Sequence, residues 1–172
     1  NNSPDELKYI VVNLYQNLFK EGAARELAVE PEDLTDGMDI GKVEYNGSTI
    51  GKLKLDGTLM YIFLPEPLKP GSESMLKIEW SFTLPAATQI RMGSYDSTSF
   101  FVGQWYPQVA VYDDLNGWNR NPYTGAQEFY NEFGDFNVEV AVPTGFYVWA
   151  TGMLTDSSSV LSSDEMERIG KA

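Results

Sequence analysis

The chain has neither histidine nor cysteine among its 172 residues, and these two absences exclude most familiar catalytic sites. Catalytic zinc sites are normally built with histidine, and the helical His-Glu-x-x-His arrangement cannot exist without it. Ser-His-Asp and Cys-His nucleophile systems lose their base. Disulfides, iron–sulfur clusters and thiol redox chemistry are excluded with the cysteine. What remains is chemistry by paired carboxylates, lysine or tyrosine, or binding alone.

Positively charged residues are also few, with 12 lysines and arginines against 25 aspartates and glutamates, so the net charge is −13. This charge argues against nucleic acid or an anionic membrane as a partner. No apolar run approaches the roughly 20 residues that span a bilayer, and no signal peptide is recognisable. Residues 1–5 have the composition of a turn, which predicts a truncated start. The missing signal peptide therefore does not decide the cellular compartment. The lack of cysteine is compatible with export to the periplasm or cell surface.

Short apolar segments separated by turn signals indicate a β protein. Residues 7–14 (LKYIVVNL) form an apolar, β-branched run, and residues 76–84 alternate between apolar and polar side chains. Asn-Gly at residues 46–47 and Asp-Gly at residues 56–57 predict tight hairpin turns, because these residue types tolerate positive φ. Residues 59–64 (LMYIFL) predict another strand, which the prolines that follow should end.

The same alternation returns near the end of the chain. Residues 136–142 place Phe136 and every second residue after it on one face, and residues 146–150 (FYVWA) are the expected partner strand. The sequence therefore predicts an all-β fold, an antiparallel β-sandwich or saddle-like curved sheet with at most short helical turns. We expect one β domain over residues 1–154. Residues 155–172 are then a polar tail or linker, or the place of one more strand.

Residues 100–136 are rich in large aromatic side chains between polar, glycine-rich turns. Such rings usually fill a core or cover the end of a sheet. The alternative is a concave aromatic surface for a glycan or protein, with Trp105, Trp118 and Tyr123 as its platform. Exposure of these three rings would favour the binding surface, and their burial would favour the core.

Acidic residues in the same segment allow two weaker hypotheses. Asp113, Asp114 and Asn116 precede a glycine, as in a cation-binding loop, but the spacing of ligands matches only in part, and a capped surface turn is the simpler interpretation. Glu128 and Glu132 are four residues apart in a possible short helix. Two acids on one exposed helical face are usually solvated, whereas an acid–base pair must face across a cleft.

Several short motifs, in order, resemble the N-terminal domain of the aminopeptidase N-type gluzincins, a family of zinc metallopeptidases, and most closely a bacterial branch of the kind found in Bacteroidetes. The motifs are NNSPDEL at residues 1–7, LYQN at 14–17, LKPG at 68–71, WYP at 105–107, YDD at 112–114, GWN at 117–119, EFY at 128–130, EFGDF at 132–136, VEVAVP at 138–143 and ATG at 150–152. Together they cover most of the chain.

The resemblance implies a non-catalytic β domain that packs against a thermolysin-like catalytic domain of the same polypeptide. That second domain would hold the zinc and hydrolyse the peptide, so no cofactor is expected in this chain. The β domain of the family walls the substrate cleft, and a Gln or Glu from it approaches the free amine of the substrate. Gln104, with Trp105 and Tyr106 beside it, is the corresponding candidate for substrate binding, although this assignment requires a shortened loop.

Three functions therefore follow from the sequence. The first is a module of a zinc-dependent aminopeptidase that helps to recognise the peptide N-terminus, with a peptide as substrate and without nucleic acid or a membrane span in this chain. The second is a stand-alone β-sandwich that binds a glycan or a protein through aromatic side chains. The third is a scaffold from a peptidase homologue that has lost its zinc motif. Nothing in these residues separates the first from the third.

Overall fold

A computed structural model of the chain describes residues 1–87 and 91–169. The chain forms two compact units, Asn1–Phe133 and Gly134–Ala172. The predicted boundary after residue 154 falls inside the second unit. Among the described residues, no helix combines the length and the apolar character needed to cross a bilayer.

The larger sheet of the first unit contains four antiparallel strands. In spatial order they are β4 (Leu53–Asp56), β5 (Leu59–Leu68), β1 (Leu7–Asn13) and β9 (Gln108–Val109). Strand β1 confirms the strand predicted at residues 7–14. It lies between two neighbours and is buried on both faces at Val11 and Val12, which explains its continuous apolar run.

The second sheet contains three antiparallel strands, β3 (Ser48–Thr49), β2 (Asp39–Tyr45) and β6 (Leu76–Ser81) in spatial order. The hairpin between β2 and β3 turns at Asn46 and Gly47, whose φ angles are 48° and 80°. Two consecutive positive φ angles give the tight turn that the Asn-Gly dipeptide predicts. Strand β6 alternates between half-buried and exposed side chains, which confirms the predicted half-wet strand.

Two small sheets complete the strands of the first unit. They are β7 (Met92–Ser94) with β8 (Phe100–Val102), and β10 (Tyr112–Asp113) with β11 (Gly117–Trp118). Side chains from both larger sheets meet in one core, as in a sandwich. A second core surrounds the short 3₁₀ turn Tyr15–Phe19 and includes Met92 and Tyr123. The all-β fold class is confirmed.

The prolines after residue 64 do not end their strand as expected. Strand β5 continues to Leu68 through both Pro65 and Pro67. Its pairing with β1 shifts here, because Tyr9 pairs with Phe63 whereas Leu7 pairs with Leu68. The prolines therefore lie in a bulge that requires no ladder hydrogen bond from them, and this is one of the few places where a strand accepts proline.

The second unit differs most from the sequence prediction. Residues 136–142 and 146–150 form no strand, although the turn between them is present, with the Phe146 amide donating to the Pro143 carbonyl at 3.2 Å. The strand considered in the tail is also wrong, because helices α1 (Ser157–Val160) and α2 (Ser163–Ile169) form there. Residues 170–172 of the predicted tail lie outside the described residues.

Candidate functional site

The loop between β8 and β9 carries all three residues predicted to bind substrate. It begins at Gly103, whose amide donates to the Arg91 carbonyl at 2.9 Å. A Cβ atom at Gly103 would lie 2.5 Å from that carbonyl oxygen, so the close approach requires glycine. Gln104 follows with a φ of 43°, a conformation that non-glycine residues rarely adopt. The surrounding structure therefore holds Gln104 in an unfavourable backbone conformation, as is often found at functional sites.

The Gln16 side chain holds the backbone of the loop between β8 and β9. Its side-chain Nε2 donates to the carbonyl oxygens of Gly103 and Gln104, each at 3.2 Å, and the residue is almost fully buried. The sequence prediction did not single out Gln16. Its signal was one of three amide side chains, Asn13, Gln16 and Asn17, within the largely apolar stretch IVVNLYQNLF at residues 10–19.

The side-chain oxygens of Gln16 and Gln104 are both buried without a hydrogen-bond donor among the described residues. An unsatisfied buried acceptor costs about 1–3 kcal/mol, so each oxygen has a strong preference for a donor. Suitable donors are an ammonium group, an amide or a water molecule. A glutamine amide does not titrate, and this pair can therefore bind and orient a donor but cannot act as an acid or base.

Trp105 and Tyr106 form an aromatic wall beside Gln104. Their ring centroids are 5.0 Å apart, and the Trp80 ring lies 6.0 Å from that of Trp105. The Trp80 indole N–H also donates to the Trp105 carbonyl at 2.9 Å, which ties the loop to β6. Burial raises the pKa of the half-buried Tyr106 hydroxyl. The structure thus brings the three predicted substrate residues together on one anchored loop.

The proposed three-ring binding platform does not exist. Trp105 is 37% exposed, but Trp118 and Tyr123 are only 9% and 7% exposed. Trp118 belongs to the main core, and Tyr123 stacks on Phe129 at 5.1 Å in the second core. Burial of two of the three rings favours the core interpretation for them.

The acidic residues of this region form a capped turn and an exposed pair. Asp113 Oδ1 accepts hydrogen bonds from the amides of Leu115 and Asn116 at 2.9 and 2.6 Å, which makes a capped surface turn. These bonds, chiefly from the Asn116 amide, lower the pKa of Asp113. Glu128 and Glu132 are exposed, and the short helix considered for them does not form. In residues 1–87 and 91–169, no group of three or more acidic side chains could hold a metal ion.

A second concave feature of the first unit is an open cleft of about 570 Å³. One side is Asn13 at the end of β1 with Tyr15 after it, and the other is the loop after β11, which supplies Asn119 and Asn121. Asn13 is only 6% exposed, and its side chain makes no hydrogen bond within the described part of the chain. The sequence analysis did not predict this cleft.

Comparison with known proteins identified no relative of this chain. A scan against protein-family models, a search of curated proteins and a search of solved structures each found no match.

Proposed function

We propose that this chain is the non-catalytic N-terminal domain of a zinc-dependent aminopeptidase, in which it walls the substrate cleft and helps to recognise the free N-terminus of a peptide. The observation that carries this proposal is the Gln104 side-chain oxygen, which is buried without a donor on a backbone held at positive φ. A peptide ammonium group offers three N–H donors to such an acceptor.

A neutral amide suits this role better than a carboxylate. Its oxygen accepts hydrogen bonds from the ammonium group without the desolvation penalty of a second buried charge. Trp105 and Tyr106, whose ring centroids are 5.0 Å apart, offer an apolar surface on the same loop for the substrate side chain. Zinc would activate the water that attacks the first peptide bond, and its ligands would come from a catalytic domain because this chain has no histidine.

The apolar side chains of residues 134–154 also support a larger assembly. Phe136, Val138 and Val140 are exposed, together with Tyr147 and Trp149. Large apolar surfaces of this kind are usually covered by a partner or a neighbouring domain. A catalytic domain of the same polypeptide would be such a neighbour.

The test begins with the coding sequence downstream of residue 172. The proposal expects His-Glu-x-x-His there, followed by a further glutamate on the next helix. In the full-length enzyme, Gln104→Ala should raise KM for substrates with a free amine by about tenfold, the equivalent of one lost charge-assisted hydrogen bond, while kcat changes less.

Gln108→Ala is the matched control, because Gln108 is a half-buried glutamine on the adjacent strand β9. It should leave KM near the parent value. If the reading frame lacks the zinc ligands, the aminopeptidase proposal fails, and the protein is instead a scaffold from a peptidase homologue that has lost its zinc motif. An active enzyme in which Gln104→Ala and Gln108→Ala behave alike would remove Gln104 from substrate recognition.

A further inference from the structure

The floor of the open cleft includes the side-chain amide of Asn13, which has no hydrogen-bond partner among the described residues. Asn13 is 94% buried, as its 6% exposure shows, yet its side chain makes no hydrogen bond within residues 1–87 and 91–169. Its neighbour Asn17 is also buried, but both polar atoms of its side chain are satisfied, at 2.9 Å by the Gly57 carbonyl and at 2.8 Å by the Met38 amide. The polar atoms of Asn13 are not among the buried unsatisfied atoms, so they reach the open cleft and are available to a ligand there.

The opposite side of the cleft offers more unpaired amide groups. Asn119 uses its Oδ1 to accept from the Asn121 backbone amide at 3.3 Å, which leaves its NH₂ group unpaired within the described residues. The Asn121 side chain makes no hydrogen bond in the same part of the chain. An amide places a donor and an acceptor side by side. Hydroxyl groups, which both donate and accept, match several such amides facing one cleft.

The rim of the cleft provides an apolar surface as well. The Tyr130 side chain is 56% exposed, whereas the neighbouring Phe129 is packed against Tyr15 and Tyr123. The electron-rich face of an exposed aromatic ring attracts partly positive hydrogens, such as those on the carbon atoms of a sugar ring. Tyr130 can therefore support a ligand that is polar at its edges and apolar on its faces.

Charge around the cleft is small and disfavours an anionic ligand. Arg120 contributes one positive charge, and Asp113 and Glu128 contribute two negative charges. The Asp113 carboxylate already accepts hydrogen bonds from its own turn. The net charge of −13 disfavours an anionic ligand in the surrounding field. The volume of about 570 Å³ lies within the roughly 300–1,000 Å³ of small-molecule sites.

We propose that this cleft, with Asn13 at its floor, Asn119 and Asn121 on its side and Tyr130 at its rim, binds a short neutral oligosaccharide. A peptide is the less suitable ligand, because peptides commonly add a strand to a sheet edge. The β10–β11 hairpin beside this cleft has only two residues in each strand and offers too little edge. The site is separate from Gln104, so it does not depend on the aminopeptidase proposal.

The test is an NMR titration of the ¹⁵N-labelled 172-residue chain with cellotetraose, maltotetraose and triacetylchitotriose, and with tetra-alanine as the peptide probe. We expect at least one saccharide to shift the side-chain amide signals of Asn13, Asn119 and Asn121 at millimolar concentration. Tyr130→Ala should weaken that binding by about tenfold, a typical loss for one stacking contact at a binding site. Tyr95→Ala, which removes another exposed tyrosine outside the cleft, should not weaken it.

A second variant separates ligand binding from a structural role. Leucine has nearly the shape of asparagine, and Asn13→Leu breaks no hydrogen bond, so the fold should persist while saccharide binding is lost. Gln104→Ala should leave saccharide binding unchanged. The proposal is overturned if no saccharide shifts these signals, if only tetra-alanine does, or if Tyr95→Ala weakens binding as much as Tyr130→Ala.

Discussion

Residues 76–81 and residues 136–142 have the same alternating pattern but different structures. The first segment is strand β6, paired with β2, and its apolar residues face the main core. The second segment is in no strand, and its apolar residues are exposed. Alternation tells which face of a segment should be buried. A strand also requires a neighbour that accepts and donates its backbone hydrogen bonds.

Helix α2 shows which structure can form in the second unit without such a neighbour. The Ser162 amide and hydroxyl donate to Glu165 Oε2 at 2.8 and 2.7 Å, and the Glu165 amide returns a bond to Ser162 Oγ at 3.4 Å. In this capping box, side chains three residues apart accept hydrogen bonds from backbone amides at the start of the helix. The second unit thus keeps the structure that local contacts provide, while the first unit depends on distant strand pairs.

The largest expected difference between the two regions is in amide hydrogen exchange. Central amides of β1 and β5 are bonded between strands and should exchange only on global unfolding, which for a domain requires about 5–15 kcal/mol. Amides of residues 137–142 have no backbone acceptor in the described residues and should exchange almost freely. Exchange followed by mass spectrometry or NMR measures both. Strong protection of residues 137–142 would show that they are paired in solution.

Alanine substitutions in the two units should also differ in their effect on the free energy of unfolding. Ile62 is fully buried in β5, so Ile62→Ala should lower the free energy of unfolding by about 2–5 kcal/mol. Val140 is 56% exposed, so Val140→Ala should change it by less than about 0.5 kcal/mol. Urea unfolding monitored by circular dichroism gives both values. A large loss for Val140→Ala would contradict its exposed position.

The first unit could be predicted well from its sequence because its signals are local. The Asn-Gly turn at residues 46–47 fixes its hairpin through φ alone, and the alternation in β6 selects its face. The course of β5 past its prolines could not be predicted, because it depends on a bulge against a strand some fifty residues away. The missing strands at residues 136–142 could not be predicted either, since alternation carries no information about the partner.

The candidate site was predictable only in part. The motif resemblance predicted Gln104, Trp105 and Tyr106 as substrate-binding residues, and these three lie on one loop of the structure. Nothing in the sequence showed that Gln16 would bond the backbone of that loop, or that Trp118 and Tyr123 would be buried rather than exposed. These contacts join residues that are far apart in the chain, and only the folded topology determines them.

Two buried asparagines of the first unit, Asn13 and Asn17, should differ in how much the same substitution lowers the free energy of unfolding. Asn17→Leu would leave the Gly57 carbonyl and the Met38 amide unpaired, and should cost about 2–4 kcal/mol. Asn13→Leu breaks no hydrogen bond, so it should change the free energy of unfolding by less than about 1 kcal/mol. Thermal and urea unfolding of the two variants measure the difference. Equal destabilisation would mean that Asn13 has a structural partner.

The smallest expected effect comes from two tyrosine–carboxylate pairs, one in each unit. In the first unit, the Tyr112 hydroxyl donates to Asp5 Oδ2 at 2.6 Å and ties the start of the chain to β10. This hydrogen bond raises the pKa of Tyr112 from 10.0 to about 12. In the second unit, a hydrogen bond to Glu165 likewise raises the pKa of Tyr147.

A tyrosine pKa that is higher in the folded state stabilises the fold fully below its ordinary pKa of 10.0, and this stabilisation is lost as the pH rises through about 12. Tyr112→Phe should therefore lower the urea midpoint slightly at neutral pH, and the two midpoints should converge as the pH approaches 12. Tyr147→Phe, the matched control, should leave the amide protection of β1 unchanged, because its partner Glu165 belongs to the second unit. An offset between the two midpoints that stays unchanged above pH 12 would mean that the stabilisation by the Tyr112 hydroxyl does not come from its protonated hydrogen bond to Asp5.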